Sequence, residues 1–192
     1  MRPLILASSS TYRHALLSRL GLPFASEAPN LDERRLDGEP ARDLVLRLAE
    51  AKARALATRY PTHLIIGSDQ VAVLGDRILG KPGGFDQALE QLGAASGERV
   101  TFLTGLALLD SHTGDCQVDV VPFSVNMRQL DQTALTRYLH AEQPYDCAGS
   151  FKAEGLGVSL FESTEGPDAT SLVGLPLIRL VAMLAKAGVA VP

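Results

Sequence analysis

Between His63 and Gly75 the chain carries thirteen residues that read as buried sheet, with Leu64-Ile65-Ile66-Gly67 and Val71-Ala72-Val73-Leu74 flanking one polar triplet, Ser68-Asp69-Gln70. Arg77-Ile78-Leu79 follows Gly75-Asp76 as a hairpin partner. A carboxylate in that setting has to be accounted for. Burying an unpaired charge is costly, and a chain tolerates it mainly where the charge does chemistry. Asp69 is poised there to hold a metal or to act as a general base; the plain alternative is a turn aspartate between two hairpin strands.

The rest of the chain supplies a setting for this segment. Leu4 to Ala7 is an apolar strand-like run, Ser8-Ser9-Ser10-Thr11 a hydroxyl-rich turn, and the leucines after Arg13 recur at helical spacing until Gly21. Residues 23–37 are turn-rich. Pro40 then opens a long helix, predicted over residues 41–59, with Leu44, Val45, Leu48, Ala49, Ala55 and Leu56 on one stripe. A helix from Asp86 to Leu92 precedes two strands, Arg99 to Leu109 and Val118 to Arg128, which flank an exposed turn and should be antiparallel. A helix from Asp131 to Ala141, a Gly-rich segment from Ala148 to Gly157, a strand from Val158 to Phe161 and a last helix from Leu175 to Ala187 complete the order. Mixed helices and strands with an antiparallel hairpin imply an α/β fold with a mixed sheet. Without repeats or linkers, one domain over residues 1–192 is expected.

Composition narrows the function classes. With 46% hydrophobic and 21% charged residues in 192, disordered, collagenous and coiled-coil classes are excluded. The net charge of −4 speaks against a nucleic-acid surface, which needs a surplus of exposed cations. The charge is uneven, however: the first sixty residues hold ten cations and seven anions, the remainder eight and fifteen. Such an asymmetry hints at a local anion site near the N-terminus. Cys116 and Cys147 lack CxxC spacing, so neither a disulfide framework nor a zinc site is expected. No basic n-region precedes a long apolar stretch, and no run of about 18 apolar residues occurs, so the expected compartment is the cytoplasm, with no membrane partner.

Other polar residues also break the apolar pattern. Ser8, Ser9 and Ser10 stand between a buried-looking strand and a helix N-terminus, where free N–H groups favour anions; a simple N-cap is the plainer reading. Arg13 sits in that helix's first turn on its core-facing side, where a cation opposes the helix dipole and needs an anion nearby. Lys52 falls four residues after Leu48 and seven after Val45, on the apolar stripe of the long helix. Its ammonium must leave the core, by snorkelling to water or by meeting a partner. Only four of the 18 cations are lysines, and Lys52, Lys81 and Lys152 all lie beside unusual segments. Gly80-Lys81-Pro82-Gly83-Gly84 makes a stiff, glycine-opened loop suited to clamping phosphate. Asp32-Glu33 offers a second carboxylate, since Mg²⁺ is usually held by one or two carboxylates together with phosphates and waters. Gly-x-Ser-x-Gly, P-loop and Gly-x-Gly-x-x-Gly motifs are absent, which sets aside serine-hydrolase and Walker-type readings.

Taken in order, Leu6-Ala7-Ser8-Ser9-Ser10 with Arg13, Asp32-Glu33, Lys52, Gly67-Ser68-Asp69, Gly80-Lys81-Pro82, Ser96-Gly97, Thr104-Gly105 and Val173-Gly174-Leu175-Pro176 resemble the Maf family of nucleoside triphosphate pyrophosphatases over nearly the whole chain. The resemblance implies a two-lobed, inosine-triphosphatase-like α/β fold with an elongated mixed sheet, flanking helices and a central cleft. It also implies cleavage between the α and β phosphates of a nucleotide, dependent on Mg²⁺ or Mn²⁺. In that picture Asp69 is the proton acceptor, Ser8, Arg13, Lys52 and Lys81 bind the substrate, and Asp69 with Glu33 would hold the metal.

Three departures from the commoner family pattern are informative: Ser10-Thr11-Tyr12-Arg13, Gln70 after the aspartate, and Glu154 in the later Gly-rich loop. They resemble the branch that prefers 7-methyl-GTP. N7-methylation places a delocalised positive charge on guanine, which favours stacking on an aromatic face and hydrogen bonding to a carboxylate. In a chain without tryptophan, Tyr12 could supply the face and Glu154 the carboxylate; alternatively Tyr12 covers the helix start and Glu154 pairs with Lys152. Two rival readings stay open at this point, a dTTP- or UTP-type pyrophosphatase acting on other nucleotides and a non-catalytic nucleotide-binding regulator of cell division. Oligomeric state is open between monomer and homodimer.

Overall fold

The structure, a computed structural model, describes residues 2–191. Its strands form one seven-stranded mixed sheet of order β2-β1-β3-β5-β6-β7, with β4 paired to β3. The strands are β1 (Leu4–Ala7), β2 (Phe24–Glu27), β3 (Leu64–Leu74), β4 (Arg77–Leu79), β5 (Arg99–Asp110), β6 (Cys116–Met127) and β7 (Phe161–Glu165). The helices are α1 (Thr11–Ser18), α2 (Ala41–Ala55), α3 (Phe85–Ala95), α4 (Gln132–Glu142), α5 (Ala169–Val173) and α6 (Leu177–Lys186). Among the described residues, no helix is long and apolar enough to cross a membrane.

The chain divides into two compact units. The first comprises residues up to Asp69, Thr104–Val121 and Asp168 onward; the second comprises Gln70–Leu103 and Pro122–Pro167. In the first unit β1 runs parallel to both β2 and β3. Alternation along these strands builds two core layers. Leu4, Leu6, Leu64, Ile66, Leu106 and Leu108 pack with Leu16 and Leu17 of α1 and Leu180, Met183 and Leu184 of α6. Ile5, Ala7, Ile65, Ala107 and Leu109 pack with Ala49 and Ala53 of α2 and with Leu56. Helices cover both faces, which is why these strands are apolar at successive positions.

One contact sets the depth of α2. A Cβ at Gly67 would collide with the Ala49 carbonyl and the Ala53 amide, and one at Gly105 with the Val45 carbonyl. Backbone therefore lies against backbone, and two glycines one strand apart let the helix sit low on the sheet.

In the second unit β4 pairs antiparallel with the end of β3, and β7 antiparallel with β6. Phe151 makes edge contacts with Phe102 and Phe161 there, at 5.2 and 4.9 Å between ring centres.

Several expectations change. Ser68-Asp69-Gln70 does not separate two strands; β3 is continuous through it. Pairing with β1 ends at Ile66 and pairing with β4 begins at Ala72, so residues 67–71 are paired with neither. The strand expected at Val158–Phe161 is a 3₁₀ segment, Leu156–Leu160, and β7 begins only at Phe161. Its Phe-Glu-Ser-Thr-Glu sequence lies at a sheet edge with mostly exposed side chains, so it has no apolar signature. The same holds for β2, which the turn-rich reading of residues 23–37 concealed. Helix α2 stops at Ala55 rather than residue 59, and Ala55, expected on the apolar stripe, is exposed; the expected last helix is α6, and the short α5, set off from it by Gly174, was not expected.

Gly105→Ala should lower the stability by about 2–3 kcal/mol, through forced separation of α2 from the sheet. For a chain of this size that corresponds to a fall in melting temperature of roughly 5–10 °C, read by calorimetry. A melting temperature unchanged by the substitution would mean that α2 does not rest on the Gly105 backbone.

Candidate active site

Ser8, Arg13, Glu33, Lys52 and Asp69 all lie in the first unit. Lys52, in the last turn of α2, is only 6% exposed, and Asp69 on β3 only 8%. Lys52 Nζ donates to Asp69 Oδ1 at 2.7 Å and lies 2.9 Å from Glu33 Oε2. One ammonium thus bridges two carboxylates, and Lys52 does not snorkel to water. Glu33 belongs to the loop before α2, with its side chain about half exposed. That loop is tied to α2 by Arg47, whose Nε and Nη2 donate to the two Glu39 carboxylate oxygens at 2.6 and 2.7 Å. The fork holds Glu39 well below its ordinary range, at about 2. A carboxyl depressed by folding stabilises above its unfolded value and ceases to do so as pH falls through its folded value. The loop tie therefore weakens between about pH 4.5 and 2.

Arg13 occupies the first turn of α1, whose N-cap Ser10 accepts from the Arg13 amide at 3.3 Å. Its guanidinium Nε donates to Gly174 O at 2.8 Å. Burial lowers its pKa, while Asp69 and then Glu33 pull it back up. It stays charged, as a guanidinium does in proteins. The anion that a cation at a helix start requires is thus the Asp69–Glu33 pair. Ser8 is buried just before this helix, and its hydroxyl accepts from the Ser10 amide at 3.0 Å. A pocket of ≈ 370 Å³ opens beside Ser8, Ser9, Ser10, Thr11, His14, Ser26 and Ala28. Tyr12 is half-buried on the same first turn.

Ser68 and Thr104 went unremarked as site residues, although both are fully buried. Ser68 Oγ sits 2.8 Å from Gly105 O and 2.9 Å from Gly174 O, and Thr104 Oγ1 donates to Ser171 O at 2.9 Å. The signal was present for Ser68: it interrupts the same apolar run as Asp69. Nothing in a sequence pattern marks Gly174 as the acceptor of two side chains.

Lys81, Gln70 and Glu154 belong to the second unit. Gln70 follows Asp69 on β3 and so faces the other side of the sheet. Lys81 is exposed on its loop, which is anchored by Gly83 N donating to Tyr145 O at 3.0 Å. Glu154 is exposed too, on a loop held by α4: Lys152 N donates to Tyr138 Oη at 3.0 Å and Leu156 N to Glu142 Oε2 at 2.6 Å. Lys152 Nζ lies 3.6 Å from Glu142 Oε1.

Cysteine chemistry is disfavoured. Burial pushes the Cys147 thiol up to about 12 and the Cys116 thiol to about 11.

The Maf-like protein family model matches residues 3–187. The chain belongs to the Maf family. A 7-methyl-GTP pyrophosphatase of Pseudomonas fluorescens is 71% identical over 192 residues, covering both chains completely. A protein of the same name from Pseudomonas aeruginosa is 64% identical over the same full length. Another, from Alkalilimnicola ehrlichii, is 56% identical over 186 residues, 97% of this chain and 94% of its own. Among solved structures, the Ham1 protein of Staphylococcus aureus matches with a TM-score of 0.54 at 12% identity, over 97% of this chain and all of its own. At that identity the likeness is one of fold, and the expected α/β architecture with a mixed sheet is the one found.

Lys52→Met should destabilise this Maf chain by about 3–5 kcal/mol, because it leaves Asp69 buried without its cation. Adding Asp69→Leu should recover most of that loss, since the buried carboxylate is then gone and Glu33, half exposed, keeps its contact with water. Denaturant melts of the single and double variants read the difference, and equal stability of the two would mean that the pair is not energetically coupled. At pH 8 the thiolate fraction of Cys147 is on the order of 10⁻⁴, so iodoacetamide should label neither cysteine of the folded protein at an appreciable rate.

Proposed function

We propose that the protein hydrolyses 7-methyl-GTP to 7-methyl-GMP and pyrophosphate, a reaction of the hydrolases that act on acid anhydrides. The observation that carries this reading is the buried Lys52 ammonium bridging Asp69 and Glu33 beside Arg13. It supplies charges of both signs at one place, as polyphosphate hydrolysis requires. Full-length relatives bearing the name 7-methyl-GTP pyrophosphatase support the substrate.

In this reading Ser8, Arg13, Lys52 and Lys81 are the residues assigned to phosphate binding. Asp69 is the proton acceptor for water. With Oδ1 taken by Lys52, Oδ2 is the oxygen that receives the proton. Most of the acceleration comes from neutralising charge and aligning groups rather than from covalent chemistry.

A divalent cation suits the donor set. Asp69 and Glu33 are hard oxygen donors already gathered around one positive charge, the Lys52 ammonium. The described residues contain no cluster of three or more His, Cys, Asp or Glu able to hold a metal. Mg²⁺ or Mn²⁺ would therefore take Asp69 and Glu33 from the protein and the remainder of its shell from phosphate oxygens and water. Bound there, it would supply further neutralisation of phosphate charge.

Specificity is assigned to Tyr12, Gln70 and Glu154. An aromatic face and a carboxylate are the two groups that a methylated, cationic guanine favours over guanine itself.

The deciding experiment measures pyrophosphate release from 7-methyl-GTP, GTP, dTTP and UTP with Mg²⁺. The expected result is turnover highest with 7-methyl-GTP, and no release from any of the four overturns the enzymatic reading. Asp69→Asn should lower kcat by roughly 10²–10⁴-fold while the protein stays folded. Glu154→Gln should reduce the preference for 7-methyl-GTP over GTP; an unchanged ratio would remove Glu154 from base recognition.

A further inference from the structure

Asp168 is a buried carboxylate, 4% exposed, to which the proposed reaction gives no part. Its Oδ1 accepts from Thr170 N at 2.9 Å and Thr170 Oγ1 at 2.6 Å, and its Oδ2 accepts from Ile178 N at 2.8 Å. Thr170 Oγ1 accepts in turn from Leu177 N at 2.8 Å. Helix α6 follows Pro176 and has no side-chain cap from that residue. Asp168 and Thr170 therefore satisfy amides at the starts of two helices, α5 and α6. Both Asp168 oxygens are thereby given to amides or a hydroxyl at those helix starts.

Between those helices stands Gly174, at φ 113° and ψ 7°, a backbone conformation that favours glycine. Its carbonyl oxygen receives Arg13 Nε at 2.8 Å and lies 2.9 Å from Ser68 Oγ, the hydroxyl next to Asp69 in the chain. The α5–Gly174–α6 corner thus orients the guanidinium, and Asp168 with Thr170 holds both ends of that corner. A neutral cap would be enough for α5 alone. It is the second oxygen, the one that takes Ile178 N, that joins the two helices across Gly174.

We propose that Asp168 is a positioning residue for Arg13, acting through the Gly174 carbonyl. With Nε committed to that oxygen, the Nη edge of the guanidinium is the part presented to an anion, at an angle the corner decides. The functional weight of this arrangement rests on the reading above, in which Arg13 binds polyphosphate. The geometric part does not.

Asp168→Asn isolates the effect. The side-chain oxygen can still cap α5, but its NH₂ group meets the Ile178 N–H with a donor against a donor. Two readouts test the inference. In the first, the Nε–Hε NMR signal of Arg13, identified by its loss in Arg13→Lys, should be protected from exchange in the wild type and exchange at least tenfold faster in Asp168→Asn. In the second, KM for the nucleotide should rise about tenfold in Asp168→Asn but less than twofold when the same change is made in Arg13→Ala. Thr170→Val should move both readouts in the same direction and Thr170→Ser should restore them, which decides the matter if Asp168→Asn fails to fold. An unchanged Arg13 signal, or an equal KM penalty in both backgrounds, overturns the inference. If the wild type turns over no nucleotide, the functional reading fails and the NMR signal alone decides the positioning role.

Discussion

The interaction on which the rest depends is the buried bridge from Lys52 to Asp69 and Glu33. Neither Lys52 nor Asp69 could be buried alone at tolerable cost, since removing one partner of such a pair leaves an uncompensated charge. The bridge also joins three parts of the chain that are separate in sequence: the end of α2, the middle of β3 and the loop before α2. Its formation requires α2 to lie close to the sheet, which Gly67 and Gly105 allow by presenting bare backbone to Ala49, Ala53 and Val45. Packing and electrostatics are therefore one problem here: a side chain at either glycine would lift the helix and carry the ammonium away from Asp69.

The sheet makes a complementary concession. On β3, pairing with β1 ends before Gly67 and pairing with β4 starts after Val71, and Asp69 lies in that interval. The flanking apolar residues hold the strand in place on either side of it. An aspartate can thus stand in a strand interior with its carboxylate given to a cation instead of to a turn, which is why the sequence around it reads as sheet on both sides.

What the sequence made legible follows from how each residue departs from its neighbours. Asp69 and Lys52 are charges on apolar patterns, so both stood out in the sequence as groups that need a partner. Arg13 showed because a cation at a helix start needs an anion, and the anions are Asp69 and Glu33. Edge strands β2 and β7 did not show, because a strand exposed on most of its surface has no apolar periodicity. Gly174 was visible only as part of a motif: its carbonyl's two partners, Arg13 and Ser68, are 161 and 106 residues away in the chain. Asp168 was invisible for a related reason, since a carboxylate in a polar stretch, Glu162 to Asp168, looks like solvated loop until its acceptor role at two helix starts is seen.

On the proposed reading, the donors of the two principal cations account for how a chain of net charge −4 would address a polyanion. An ammonium has three N–H groups, and two of Lys52's are directed to Asp69 and Glu33. A guanidinium has five, and Arg13 uses the one on Nε for Gly174 O. These contacts fix the position of each group, and on the proposed reading the remaining donors serve an incoming oxygen. On the proposed reading a phosphate would thus be bound without breaking the bridge that holds Asp69, so substrate binding and retention of the proposed proton acceptor would not compete. The overall charge matters little to this, because exposed charges beyond about 8 Å are largely screened at physiological salt. On that reading the local arrangement decides, with Arg13 and Lys52 as the cations of the first sixty residues that take part in it.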